Sequence, residues 1–250
     1  MKEMKILLGV VLLLAIAVTA YAQSEADFEI TQNEEGTITI TGYTGTAKDV
    51  VIPETIEGIR VTYIWGGFNG KGLTSVIIPD SVDRIQGGAF ENNRLTNVII
   101  PHGVTRINPE AFANNQLTSI VIPDGVTLIG EDAFANNQLT SVTIPNSVTR
   151  IERRAFANNQ LTSLDIPDGV TVIQTDAFRN NKLVSVTVPD SVVNILGAFT
   201  DNPTINRITI GTNKNHAVYG GFPHNFGAFY QSQDRRAGTY TWSGRLWRVE

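Results

Sequence analysis

The chain has 250 residues, no cysteine, and a net charge of −5 from 19 basic and 24 acidic side chains. The absence of cysteine excludes a disulfide-stapled scaffold and a lipid-modified cysteine anchor. The acidic balance argues against a nucleic-acid or anionic-membrane binder.

Residues 1–22 read as an export signal. Lys2 and Lys5 form a basic start, residues 6–20 are an apolar run, and Ala20-Tyr21-Ala22 supplies a small-x-small cleavage site. The run is short for a transmembrane span and is followed by polar sequence. Cleavage after Ala22 removes Lys2, Lys5 and Glu3 and leaves 17 basic against 23 acidic side chains, a net charge of −6. The mature chain is expected outside the cytoplasm (cell surface, secreted or periplasmic) with no transmembrane span.

Residues 23–72 read as an N-terminal cap. Within it, residues 28–43 alternate Phe or Ile with polar residues on either side of Asn33-Glu34-Glu35-Gly36, the pattern of a hairpin. The coil that follows is irregular. Pro53 to Pro79 spans 26 residues, four more than the step used afterwards, and the extra residues fall near Glu57-Gly58-Ile59-Arg60. They are expected to bulge from one edge.

From residue 73 to 211 the chain repeats itself. Pro79, Pro101, Pro123, Pro145, Pro167 and Pro189 are spaced by 22 residues, and Phe68, Phe90, Phe112, Phe134, Phe156 and Phe178 keep the same step. A fixed step shared by unrelated residue types is the signature of a solenoid. In Leu117-Thr118-Ser119-Ile120-Val121-Ile122-Pro123-Asp124, the alternation after Ser119 reads as a short strand with one buried face. Proline ends it because it has no N–H for a ladder, and the residues behind it turn the chain. Valine and isoleucine then return to the interior, and Ala-Phe closes the coil, so that the phenylalanines should stack as a spine. A lone coil would be open at both ends; stacking supplies the missing walls and the inter-coil hydrogen bonds. With strands ~4.8 Å apart, seven rungs give a rod about 30 Å long. The paired asparagines, such as Asn114-Asn115 and Asn136-Asn137, are expected to satisfy the tight loop's backbone rather than a ligand.

The phrase Leu-x-x-Val/Ile-x-Ile-Pro-x-x-Val-x-x-Ile-x-x-x-Ala-Phe resembles the BspA-like, or treponemal-type, leucine-rich repeat over about residues 46–211. This chain departs from that family in carrying Asn where many repeats have Cys after Ala-Phe, and in a repeat one residue shorter than the common length. The resemblance implies a mainly β leucine-rich-repeat stack of 22-residue coils, here with hairpin caps at both ends. It also implies a surface or secreted protein linked to adhesion, with no catalytic residues to carry over.

What varies between coils bears on function. The outward strand position runs Ile77, Ile99, Val121, Thr143, Asp165, Thr187, Thr209, apolar at one end and polar after it. An exposed apolar cluster of this kind is a candidate contact patch, though β propensity alone could place Ile and Val there. Beside it runs a row of small polar residues that includes Ser119 and Ser141. On the other strand-like segment Arg84, Arg106 and Arg150 share a column, with Asp80, Asp124, Asp168 and Asp190 as expected partners.

Residues 212–250 are rich in aromatics and read as a C-terminal cap or tail. Phe226, Phe229 and Tyr230 have helical spacing, and the stretch from Ala237 to Trp247 reads as a hairpin turning at Ser243-Gly244. Tyr240, Trp242 and Trp247 could cap the last coil, or form a ligand platform or a surface-retention element. His102, His216 and His224 lack partners at metal-ligand spacing, and no nucleophile elbow, phosphate loop or dinucleotide fingerprint occurs. The expectation is a non-enzymatic protein without cofactor or metal. Its strand face would contact an extracellular protein or glycan, host matrix among them; the competing reading is a structural envelope module attached through its aromatic tail.

Overall fold

The computed structural model describes residues 23–212, 217–219, 222–223, 226–233 and 236–250. The export segment, His216 and His224 lie outside the described residues. The cap begins with β1 (Phe28–Gln32) and β2 (Ile38–Tyr43), an antiparallel hairpin. Its turn is held by Asn33, whose Oδ1 accepts from the backbone N–H groups of Glu35 and Thr37 at 3.1 and 3.0 Å. β3 (Asp49–Val51), β4 (Thr55–Ile56) and β5 (Ile59–Ile64) follow.

The residues inserted into this first coil do not bulge loosely. Glu57 and Gly58 both adopt positive φ, 55° and 75°, and join β4 to β5 as a tight antiparallel hairpin. Two left-handed residues give a turn whose twist matches that of its strands.

The later coils alternate a segment of one face with a segment of the other, and two of the coils have a strand on one face only. The order is β6 (Ser75–Ile77), β7 (Arg84–Ile85), β8 (Arg106–Ile107), β9 (Ser119–Val121), β10 (Leu128–Ile129), β11 (Ser141–Thr143), β12 (Arg150–Ile151) and β13 (Val172–Ile173). Then come β14 (Ser185–Val188), β15 (Asn194–Leu196), β16 (Arg207–Ile210) and β17 (Ala217–Tyr219). Helix α1 (Phe226–Ser232), β18 (Gly238–Trp242) and β19 (Trp247–Val249) complete the chain.

From β8 onward one face is a continuous parallel sheet, β17-β15-β13-β12-β10-β8, while β7 pairs with β5 of the cap. On the other face the ladder comes in pieces, β3 with β6, β9 with β11, and β14 with β16, always one coil apart in register. The expected strand in every coil is therefore corrected at residues 97–99 and 163–165, which carry no regular ladder. The coils stay aligned there through the corner before the strand, where Thr118 N–H donates to Thr96 O at 3.4 Å and Val184 N–H to Thr162 O at 3.2 Å.

The proline positions do two jobs. Each ends its strand, and each carbonyl accepts from the N–H three residues on, as in Pro123 to Val126 at 3.0 Å and Pro167 to Val170 at 3.0 Å. The residue before Ala-Phe is left-handed in each coil, at Gly88, Glu110, Asp132, Arg154, Asp176 and Gly197. That twist aims the Phe N–H along the rod axis onto the next coil's Ala carbonyl, for example Phe134 to Ala155 at 2.8 Å.

The phenylalanines form the expected spine. From Phe90 to Phe199 successive rings lie 5.4–5.6 Å apart and within 11° of parallel. Tyr43 stacks on Phe68 at one end and Phe222 on Phe199 at the other, at 5.4 and 4.8 Å. Offset stacking of this kind adds to the burial of each ring.

Both ends of the stack are closed. The side-chain amide of Gln23 accepts from Val51 N–H at 3.0 Å and donates to Asp49 O at 3.3 Å, standing in for a strand at the edge of β3. At the far end β18 pairs antiparallel with β16 and β19 with β18. Covering a sheet's last strand in this way blocks edge-to-edge association.

Candidate binding face

The rows that recur in every coil are spent on the backbone. The second asparagine of each pair (Asn93, Asn115, Asn137, Asn159, Asn181) is buried. Asn137 is representative. Its Oδ1 accepts from Leu117 N–H at 3.0 Å, and its Nδ2 donates to the carbonyls of Phe112, Phe134 and Ala135 at 3.0, 3.2 and 3.3 Å. All of its hydrogen-bonding capacity faces the chain, so nothing is left for a ligand. The first asparagine is left-handed, with φ of 51–59° from Asn92 to Asn180, a conformation that Asn tolerates better than most residues. Its amide passes a hydrogen bond from coil to coil, Asn136 to Asn114 and Asn158 to Asn136 at 2.8 Å, and Asn180 to Asn158 at 2.9 Å.

The outward column is built differently. Ile77 is half-buried, while Ile99 is 49 % and Val121 69 % exposed; Thr143 and Asp165 are also exposed. Their neighbours Val98, Ile100, Ile120 and Ile122 point into the core, as the two-residue period of a strand requires. The parallel registers Val51↔Ile77 and Val121↔Thr143 align the column on either side of Ile99, whose own segment carries no ladder. The first register also extends the column to Val51, which the sequence reading passed over although Val50-Val51-Ile52-Pro53 follows the strand pattern. Ser119 and Ser141 are exposed beside it and paired in register. At the cap end Thr74 and Ser75 donate to Asp49 Oδ1 at 2.7 and 2.8 Å, and these two bonds hold the Asp49 carboxyl below its ordinary pKa.

On the opposite sheet Arg84, Arg106 and Arg150 stand in one column, but the turn aspartates are not their partners. Arg84 pairs with Glu35 and Asp83, each at 3.3 Å, and Arg150 with Glu152 at 2.9 Å. The turn aspartates sit around the corner, whereas Glu152 leaves the chain two residues after Arg150, on the same side.

Burial removes Tyr240 and Trp247 from the platform reading of the tail. Tyr240 is fully buried and Trp247 is 3 % exposed, both packed edge-on against Phe226 at 5.3 and 4.9 Å. Trp242 is half-buried and leans on Trp247 at 5.6 Å. Burial pushes the Tyr240 phenol above its ordinary pKa. Tyr240 and Trp247 cap the last coil and are covered by protein, while Trp242 keeps part of its surface in solvent. At the other end of the rod, Trp65 is exposed on the cap above Tyr63, an aromatic pair that the sequence reading did not single out. The signal was present in the alternation Tyr63-Ile64-Trp65, where Ile64 is buried.

Among the described residues no helix is long and apolar enough to cross a membrane, and no cluster of His, Cys, Asp or Glu could hold a metal ion. The family model for the BspA type leucine-rich repeat region matches in six copies over residues 43–162 and 149–222. No curated protein matches the chain. Among solved structures, the T. pallidum leucine-rich repeat protein is similar at 23 % identity and a TM-score of 0.54, covering 85 % of this chain and 95 % of its own. A leucine-rich cell surface protein from Faecalibacterium prausnitzii is similar at 24 % identity and a TM-score of 0.50, with coverage of 78 % and 73 %. A pneumococcal vaccine antigen, PcpA, is similar at 17 % identity and a TM-score of 0.53, with coverage of 74 % and 63 %. At these identities the likeness is one of fold.

Proposed function

The chain belongs to the family of BspA-type leucine-rich repeat proteins, and from that premise we propose that it is an exported, non-enzymatic adhesion protein. Its fold is that of a protein-interaction module. The strand face would be the recognition surface, with Ile77, Ile99 and Val121 as apolar anchors and Thr143, Asp165, Ser119 and Ser141 as the polar surround. The partner is an extracellular protein or glycan, host matrix among the candidates.

The observation that carries this reading is the outward column. Consecutive coils present Ile99 and Val121 to solvent side by side, although nothing in the coil's geometry requires an apolar residue there, since Thr143 and Asp165 occupy the same position downstream. Clustered exposed apolar side chains rimmed by hydroxyls have the anatomy of an interaction patch.

The test is a binding screen of residues 23–250 against immobilised matrix proteins, mucins, glycans and the producing cell's own envelope fractions. Ile99→Glu should leave the fold intact, because the side chain points outward, and should weaken a saturable signal at least about tenfold by burying a charge in the contact. Undiminished binding by Ile99→Glu would remove the strand face from the mechanism. A signal confined to the producer's envelope would favour a structural module instead.

A further inference from the structure

A second concave surface lies on the N-terminal cap, away from the strand face. It is an open cleft of about 520 Å³ lined by Thr31, Asn33, Glu34, Glu35, Thr39, Thr41, Tyr63, Trp65 and Arg84. Its floor is one cross-strand row. Thr31 is in register with Thr39, Thr39 with Tyr63, and Tyr63 with Arg84, across β1, β2, β5 and β7. Trp65 stands beside this row, 55 % exposed and edge-on to Tyr63 at 5.6 Å. The turn that joins β1 to β2 raises Glu34 and Glu35 as one rim.

The cleft is held in shape before anything binds. Trp65 N–H donates to Ile40 O at 2.8 Å, and Ile64 beside it is fully buried. The Tyr63 hydroxyl is hydrogen-bonded to Gln86 at 2.7 Å, and the Arg84 guanidinium lies 5.3 Å from the Tyr63 ring centre. Arg84 also reaches Glu35 at 3.3 Å, while Glu34 makes no ion pair among the described residues.

We propose that this cleft is a saccharide-binding site in which a pyranose ring lies on Trp65 and its hydroxyls meet Glu34, Glu35, Arg84, Thr31 and Thr41. An indole face carries negative charge density and attracts the polarised C–H groups of a sugar's flat side. Vicinal hydroxyls both donate and accept, and so match a wall that mixes carboxylates, hydroxyls and a guanidinium. One aromatic anchor with convergent polar groups is the usual anatomy of a small-ligand site.

A peptide fits less well. Thr39 and Tyr63 belong to β2 and β5, which are internal in the order β1-β2-β5-β4, so no strand can be added along the middle of the cleft. The lining also offers no apolar pocket for a peptide side chain. This site is independent of the strand face, and either can fail without the other.

The test uses residues 23–250 on an array of defined neutral and acidic oligosaccharides and on a peptide array. Chitotetraose and cellotetraose, whose rings expose flat C–H faces, are then titrated in solution. Binding should shield Trp65 from acrylamide quenching. Trp65→Ala should weaken binding at least about tenfold, and Trp65→Tyr should restore most of it, with thermal melts unchanged in both. Absence of any oligosaccharide ligand, or capture of peptides instead of sugars, would overturn the proposal. So would loss of sugar binding in Ile99→Glu with Trp65→Ala unaffected, since that would move the sugar to the strand face.

Discussion

Replacing Asn137 with alanine should destabilise the rod far more than the loss of a small polar side chain suggests. After truncation the Phe112 carbonyl keeps Asn115 Nδ2 at 3.2 Å, the Phe134 carbonyl keeps Asn159 Nδ2 at 2.9 Å, and the Ala135 carbonyl keeps Asn114 N–H at 2.9 Å. Leu117 N–H keeps nothing, because Asn137 Oδ1 is its acceptor. One orphaned buried donor costs about 1–3 kcal/mol, and the lost net hydrogen bonding adds about 0.5–1.5 kcal/mol. The expected loss is therefore about 2–4 kcal/mol, or a fall of about 5–15 °C in melting midpoint for a chain of this size. Asn136→Gly is the matched control. Asn136 is exposed at φ 57°, and its amide bonds only Asn114 and Asn158; glycine accepts that φ, and the cost should stay below about 1 kcal/mol. Asn137→Asp should be worse than alanine at neutral pH, because it sets a carboxylate oxygen against the phenylalanine carbonyls. Far-UV circular dichroism melts and urea titrations of the variants measure all of this. An Asn137→Ala midpoint equal to that of Asn136→Gly would refute the claim that the buried amide row holds the coils together.

Two further outcomes follow from the backbone and from charge. Glu110 is held at φ 59° with its side chain exposed. A left-handed L-residue costs roughly 1–2 kcal/mol and glycine gives back roughly 0.5–1 kcal/mol in unfolded-state entropy, so Glu110→Gly should raise stability by up to about 1 kcal/mol in the same melts; no gain would mean the strain is relieved elsewhere. Asp49 has its folded pKa lowered by Thr74 and Ser75, so its contribution to stability is present above its unfolded pKa of roughly 3.9 and is lost as pH falls through the folded value. The gap in melting midpoint between the native chain and Asp49→Asn should close on acidification, and a gap that persisted at low pH would remove Asp49's charge as the cause.

The repeat was legible because each of its letters answers one geometric demand. Proline ends a strand, phenylalanine joins the spine, and the second asparagine closes the loop, so a 22-residue step in the letters becomes a 22-residue step in space. Other features depend on contacts between distant segments. That Glu57-Gly58 turns a tight hairpin could have been read from its two turn-forming residues. The break at residues 97–99 and 163–165 left only a faint trace, in Asn97 and Asp165, whose types are depleted in strands. The arginine column was visible as a column, yet its partners were not: Glu35 reaches Arg84 only because the cap hairpin joins the same sheet as β7. The tail showed its aromatics but not their direction. Composition is the same for a platform and for a plug, and only the packing of Tyr240 and Trp247 around Phe226 separates the two.

A solenoid divides its residues by duty, and that division points to where recognition belongs. Positions that are constant along the rod are saturated by the chain itself, as the four hydrogen bonds of Asn137 illustrate. The buried ones among them are free neither to change nor to bind. Discrimination must then come from positions with no backbone duty, and these differ most at the N-terminal end. There the outward column is apolar from Val51 to Val121, and there the cap breaks the repeat to place Tyr63, Trp65 and Arg84 in one cleft. The C-terminal end is equally irregular, but its aromatics Phe226, Tyr230, Tyr240 and Trp247 are buried in closing the stack. Exposure, not irregularity, separates a recognition element from a plug, and by that criterion both the apolar anchors and the cap cleft of this rod lie in its first half.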